Sequence, residues 1–220
     1  GLGQSIRNAV DAVSVVQVAD GALAESGDLI MTIREKALQS ANGSQSFESR
    51  QALQMEINKA VSGLNDIAQN TSYNGQTLFS GQFTDKDFHV GVAGGETITV
   101  HVGQVSPDIL GSADGRVADI NVLTTDGAVQ ALTIADAALA DINGIRGELG
   151  STANQLVSAM NNLSLSRINI AAAESQIGDL DFAEESLNFA KMQALGKAAV
   201  FALAQTGKMN KQSIMDLLQG

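Results

Sequence analysis

LTIADAALADINGIRGELGSTANQLVSAMNNLSLSRINIAAAESQI, residues 132–177, decides the fold. Leu132, Ala135, Leu139, Ile142, Arg146, Leu149, Ala153, Leu156, Met160, Leu163, Arg167, Ile170, Glu174 and Ile177 follow alternating steps of three and four, the spacing of a coiled-coil seam. At about 1.5 Å per residue such a helix is on the order of 70 Å long, too long for the core of a small globule. It needs antiparallel partners of similar length. Three seam positions are charged, and Arg146, Arg167 and Glu174 either set the register or face solvent where the bundle frays, or they contact another subunit.

Upstream, Leu2, Ile6, Ala9, Val13, Val16, Leu23, Gly27, Ile30 and Ala37 repeat the same spacing, with Asp20 and Arg34 as polar interruptions. Turn residues at 41–46, ANGSQS, separate this helix from a second one with Leu53, Ile57, Val61, Leu64 and Ala68 on one face. QNTSYNGQ then stops the second helix, with Asn74-Gly75 as the turn signal. Between 77 and 128 the period changes to two. Phe88, Val90 and Val92 alternate, a Gly94-Gly95 turn follows, and Ile98, Val100 and Val102 alternate again, which predicts one β-hairpin with a four-residue loop. Pro107, Gly111, Asp114-Gly115 and Asp126-Gly127 punctuate a remaining loop. Downstream, Gly178 and Asp179 are expected to interrupt the long helix, and Asp181 with Glu184 forms an N-cap signature for a final helix.

The predicted fold is therefore mainly α: a long antiparallel helical coiled-coil rod over 1–178, a small β-hairpin element, and a separate C-terminal helical arm over 179–220. The rod helices are placed at about 2–40, 46–70 and 129–177, and the β element at about 77–128.

Composition narrows the function classes. The chain has 220 residues with one proline, no tryptophan, one tyrosine and seven phenylalanines, so large aromatic anchors are scarce and small aliphatic side chains dominate. A net charge of −11 disfavours nucleic acid and anionic membrane surfaces as partners. The apolar run ALGKAAVFALAQ, 194–205, falls short of the roughly 20 apolar residues a membrane span requires. The absence of cysteine excludes disulfides, thiolate catalysis and sulfur-ligated zinc.

Catalytic signals are equally sparse. His89 and His101 sit in the predicted hairpin with Asp87 near the first, but strand histidines without a fixed third ligand read as surface residues. GVAGGE at 91–96 lacks the strand-to-helix setting and the lysine of a phosphate loop. Neither histidine stands in a recognisable nucleophile arrangement, so no catalytic, cofactor or metal residue is assigned.

The stretch IREKALQSANGSQSFESRQALQMEINKAVSGLNDIAQNTSYNGQTLFSG, 33–81, closely resembles the N-terminal conserved region of bacterial flagellin, with its SANG core and its NGQTLFSG ending. GLGQSIRNAVDAVSVVQVADGALAE is similar to the helix before it, and GDLDFAEESLNFAKMQAL and AQTGKMNKQSIMDLLQG resemble the flagellin C-terminal region. VGVAGGETITV is similar to the small β element of the flagellin rod, and 103–128 is short where large flagellins insert outer domains. The resemblance covers nearly the whole chain. Against the family pattern, about 55 to 60 residues are expected before Gly1, where the first helix looks cut.

What the resemblance implies is a structural subunit of the flagellar filament, exported unfolded and polymerised outside the cell, cytoplasmic only before export. Its partners would be other flagellin subunits, a flagellin export chaperone, and hook-associated cap and junction proteins. A hook–filament junction protein is the alternative. The C-terminal arm, through Phe182, Leu187, Met192, Leu195, Phe201, Leu203, Ile214, Met215, Leu217 and Leu218, is expected to pack in terminal-domain or chaperone grooves. Thr32, Arg34, Glu35, Lys36 and Leu38 are expected to form a subunit-facing or receptor-facing surface. Flagellins sensed by the animal Toll-like flagellin receptor typically carry arginine and leucine where this chain has Thr32 and Lys36, which implies weak recognition.

Overall fold

The computed structural model describes the backbone of residues 1–91 and 95–218, with the side chains at 177–181, 183, 212 and 216–218 left aside. Among the described residues there are three α-helices, three two-stranded antiparallel sheets and a short 3-10 turn. It divides into two compact units, Gly1–Leu165 and Ser166–Gly220. The predicted boundary at 178 falls within the second.

In the first unit, α1 (Leu2–Ala41) is the central element. Its buried stripe is Ser5, Ala9, Ala12, Val16, Ala19, Leu23, Ser26, Ile30, Ile33, Ala37 and Ser40, an unbroken three-and-four repeat. This stripe corrects the predicted seam: Ile6, Val13 and Gly27 are only half-buried, and three serines take seam positions. The serines fit because they are small and their hydroxyls are satisfied. Ser5 donates to Gly91 O at 2.9 Å, Ser26 to Ala22 O at 2.9 Å, and Ser40 to Val122 O at 2.6 Å.

Helix α2 (Phe47–Asn70) starts at Ser46, whose side chain caps Ser49 N at 3.2 Å. It folds back along the second half of α1, burying Leu53, Ile57, Ala60, Leu64 and Ala68. Leu29 of α1 meets Gly63 of α2, and Lys36 Nζ pairs with Glu56 at 2.6 Å. That hydrogen bond and its charge raise the Lys36 pKa above the ordinary value. Arg50 is also buried. Its Nη2 donates to Asn42 O at 3.2 Å and to Thr125 Oγ1 at 3.0 Å, while Nη1 has no hydrogen-bond partner.

The hairpin of β3 (Lys86–His89) and β4 (Thr97–Val100) caps the first half of α1. Its register pairs Phe88 with Ile98 and His89 with Thr97, and Val90, Val100 and Val102 are buried, matching the predicted alternation. The predicted Gly94-Gly95 turn and Val92 fall largely on 92–94, outside the described residues. Asn8 Nδ2 donates to His89 O at 3.0 Å and fixes the hairpin on α1.

Two further hairpins correct the expectation of a single one. β1 (Ser72–Tyr73) pairs with β2 (Gln76–Thr77) around Asn74-Gly75, whose φ values of 49° and 78° are both left-handed, as a two-residue primed turn requires. β5 (Gly111–Ser112) pairs with β6 (Gly115–Arg116), and the 3-10 turn Val117–Asp119 follows. Two-residue strands leave too little alternation to be read from sequence.

Helix α3 is Thr125–Leu218. It begins four residues before the predicted start because Thr124 caps it, its Oγ1 accepting from Gly127 N at 3.1 Å. Asp126-Gly127, expected in a loop, is therefore the first helical turn. Glycine is required there: a Cβ at 127 would lie 2.4 Å from Asn121 O. The predicted break at Gly178-Asp179 is absent from the backbone, which stays helical through both residues. A glycine costs about 1 kcal/mol in a helix, too little to stop one with strong helix formers on either side. Asp181, the predicted N-cap, lies inside the helix, and its side chain is outside the described residues.

Within the first unit, α3 runs antiparallel to α1. Arg34 Nε pairs with Asp136 at 2.5 Å near one end, Gly27 faces Ile142 midway, and Arg146 Nε meets Asp20 at 2.8 Å further along. The Asp20 hydrogen bond and charge raise the Arg146 pKa. Asp20, Arg34 and Arg146 thus flank the seam as cross-helix pairs. Ala128, Ala131, Ala135, Ala138, Ile142, Leu149, Leu156 and Leu163 form the buried stripe.

Candidate assembly surface

The α1–α3 register matches each step down α1 with a step up α3, so the start of α1 falls opposite the region of Leu163. Leu163, 9% exposed, is the last buried hydrophobic residue of α3 among the described residues. Beyond it the heptad pattern continues, and its described side chains are exposed. Leu165, Ile168 and Ile170 are 57–63% exposed, and Arg167 and Glu174 are exposed too. The sequence pattern predicts burial across the whole stripe, but burial requires a second surface as well as a pattern.

In the second unit every predicted packing residue whose side chain is described is open to solvent. These are Phe182, Leu187, Met192, Leu195, Phe201, Leu203, Ile214 and Met215, from 58% exposed at Ile214 to 76% at Phe182. Leu217 and Leu218 have side chains outside the described residues. Sequence reasoning missed Phe189, Val200 and Met209, which are also exposed. At about 3.6 residues per turn, Phe189, Val200, Leu203 and Ile214 project to one side of the helix, and Leu187, Leu195, Phe201 and Met209 to the opposite side. Apolar side chains therefore stand on opposite sides of the helix, interspersed with the charged Glu184, Glu185, Lys191, Lys197, Lys208 and Lys211. Apolar side chains on opposite sides of one helix offer more than one face for burial.

On α1, Thr32, Glu35 and Leu38 are exposed, and Thr32 Oγ1 donates to Asp28 O one turn back at 3.0 Å. Arg34 and Lys36 flank them but are tied to Asp136 and Glu56, so they present partly neutralised charge. Met31, 59% exposed, adds an apolar side chain to the same stretch of helix.

The two histidines do not converge. His89 and Lys86 bound β3, and His101 lies past the other end of the ladder with Nδ1 3.1 Å from Asp85 Oδ1, so four residues of strand, about 13 Å, separate the histidines along the hairpin. No group of three potential metal ligands occurs among the described residues. None of the described helices is long and apolar enough to cross a membrane.

Comparison with known proteins matches both ends of this architecture. The bacterial flagellin N-terminal helical region matches residues 1–84, and the bacterial flagellin C-terminal helical region matches residues 132–218. The chain belongs to the bacterial flagellin family. As a flagellin it is a structural, non-enzymatic component of the flagellar filament. It is 34% identical over 229 residues to the flagellar filament core protein flaB2 of Brachyspira hyodysenteriae, covering 100% of this chain and 80% of that protein. The Bacillus cereus flagellin crystal structure superposes with a TM-score of 0.63 at 26% identity, covering 76% of this flagellin and 94% of that chain. A putative flagellar hook-associated protein from Vibrio parahaemolyticus shares the fold, with a TM-score of 0.65 at 16% identity over 78% of this chain and 89% of that one. The fold is thus common to flagellin and a hook-associated protein, and the sequence matches are what distinguish them.

Proposed function

We propose that residues 166–218 form the part of this flagellin that other molecules bury: neighbouring subunits and terminal segments in the filament, and an export chaperone before assembly. The observation that carries this reading is the exposure of apolar side chains on opposite sides of the helix, with Phe182, Phe201 and Leu203 each more than 70% exposed. Burying a large apolar side chain contributes about 1.5–3 kcal/mol, so the eight described packing residues supply ample driving force for association. One groove covers one face. A helix apolar on opposite faces is fully covered only in a many-bodied assembly, which favours the filament as its final environment.

Two experiments separate the roles. With the N-terminal segment expected before Gly1 restored, seeded polymerisation followed by negative-stain electron microscopy should show filament growth, and its loss in Phe201→Ala with Leu203→Ala. Persistent monomers under polymerising conditions would count against the filament reading. Titration against a flagellin export chaperone, with and without residues 181–220, tests the earlier role, and undiminished binding by the shortened chain would sink it.

We also propose that Thr32, Arg34, Glu35, Lys36 and Leu38 are a poor ligand for the animal Toll-like flagellin receptor. The support is that Thr32 is short, while Arg34 and Lys36 are held by intramolecular carboxylates. Full stimulation of reporter cells by this protein would overturn the idea. Contacts with hook-associated proteins rest on family resemblance alone.

A further inference from the structure

Three Asn-Gly pairs occur in the sequence, Asn42-Gly43, Asn74-Gly75 and Asn143-Gly144, in three different settings. A glycine after asparagine leaves its backbone nitrogen unhindered, and that nitrogen is a nucleophile within reach of the asparagine side-chain amide. Asn143-Gly144 lies inside α3, where the backbone N–H groups are committed to the helical ladder. Asn74-Gly75 is held in left-handed conformation between paired strands, and no donor contacts its side-chain oxygen.

Asn42-Gly43 differs from both. It forms the exposed turn between α1 and α2, Gly43 has open space where a Cβ would be, and its N–H makes no hydrogen bond. Asn42 Oδ1 accepts two hydrogen bonds from Ser44, from the backbone N–H at 3.1 Å and from Oγ at 3.0 Å. Donors placed on that oxygen stabilise negative charge developing there when the amide carbon is attacked.

We propose that Asn42-Gly43 is a self-modification site, at which the chain deamidates itself using Ser44 as an oxyanion clamp. Gly43 N forms a bond to Asn42 Cγ, its proton passes to Nδ2, the Cγ–Nδ2 bond breaks and ammonia leaves a five-membered succinimide. Water then adds to one of the two imide carbonyls, giving aspartate or isoaspartate at 42. The Asn42 carbonyl, which accepts from Gln45 N at 3.1 Å and from Arg50 Nη2 at 3.2 Å, restrains the rotation the attack requires and sets the pace. The product carries a new carboxylate in the turn that holds buried Arg50, whose Nη1 has no partner. The isoaspartate form also adds a methylene to the turn backbone and displaces the carbonyl that Arg50 binds.

The test is to incubate the full chain in mildly alkaline buffer at body temperature and follow each Asn-Gly peptide by mass spectrometry, with aspartate and isoaspartate separated by elution. Asn42 should convert first. Ser44→Ala should slow it roughly three- to tenfold, the worth of one hydrogen bond, and leave Asn74 and Asn143 unchanged. Their unchanged rates also show that the variant is folded. In urea the three sites should converge. Conversion of Asn74 as fast as Asn42 in the folded protein, or a Ser44→Ala rate equal to the unsubstituted one, overturns the proposal.

Discussion

Leu149 and Leu203 are the same residue type in the same helix, yet Leu149 is completely buried and Leu203 is 72% exposed. Truncating each to alanine therefore separates what the chain buries by itself from what it leaves for partners. Leu149→Ala removes three buried carbons from the α1–α3 seam and should cost about 2–5 kcal/mol, the transfer loss plus the cavity left behind. With a urea dependence of about 2 kcal/mol per molar, a cost near 3 kcal/mol lowers the unfolding midpoint by about 1.5 M. Leu203→Ala should change stability by no more than about 0.5 kcal/mol, about 0.25 M in that midpoint, because it removes an exposed side chain and alanine is the better helix former. The single tyrosine, Tyr73, sits half-buried in the first unit, so its fluorescence follows unfolding there without interference from residues 166–218. The two variants should exchange places in a polymerisation assay, where Leu203→Ala raises the concentration needed for growth. A urea midpoint lowered equally by both, or by neither, would refute the division between self-buried and partner-buried parts of α3.

Three further outcomes follow from the geometry. Ser40→Ala orphans the Val122 carbonyl at a buried position and should cost about 1–3 kcal/mol, while Ser26→Ala, which removes a bond only to its own helix, should cost well under half of that by thermal unfolding. Gly127→Ala and Gly144→Ala should have opposite signs in the unpolymerised protein. A Cβ at 127 strikes Asn121 O, whereas at 144 it meets open space and gains about 0.5–1 kcal/mol of helix propensity. A double-mutant cycle on Asp20 and Arg146, both partly exposed, should return a coupling below about 1 kcal/mol that shrinks with added salt.

The sequence by itself determined the first two helices of this flagellin and the seam of the third, the alternation of its main hairpin and the family it belongs to, but not that α3 runs on through Gly178-Asp179. Heptad spacing, β-period spacing and the SANG, NGQTLFSG and C-terminal motifs are local signals, carried by neighbouring residues whatever they pack against. Asn74-Gly75 showed a turn for the same reason, since only a few residue types tolerate the left-handed conformation found there. Tertiary structure decided the rest. Ser5, Ser26 and Ser40 sit on the buried stripe of α1 because distant or preceding carbonyls accept their hydroxyls, which an apolar pattern cannot register. Thr124 starts α3 early, and Gly127 is fixed by the approach of the Asn121 carbonyl. Above all, one heptad repeat runs through Leu149, Leu163 and Ile170, yet only the first two are buried. Periodicity says which face of a helix is apolar. Whether that face is covered depends on a second surface packed against it, which the periodicity of the helix alone does not record.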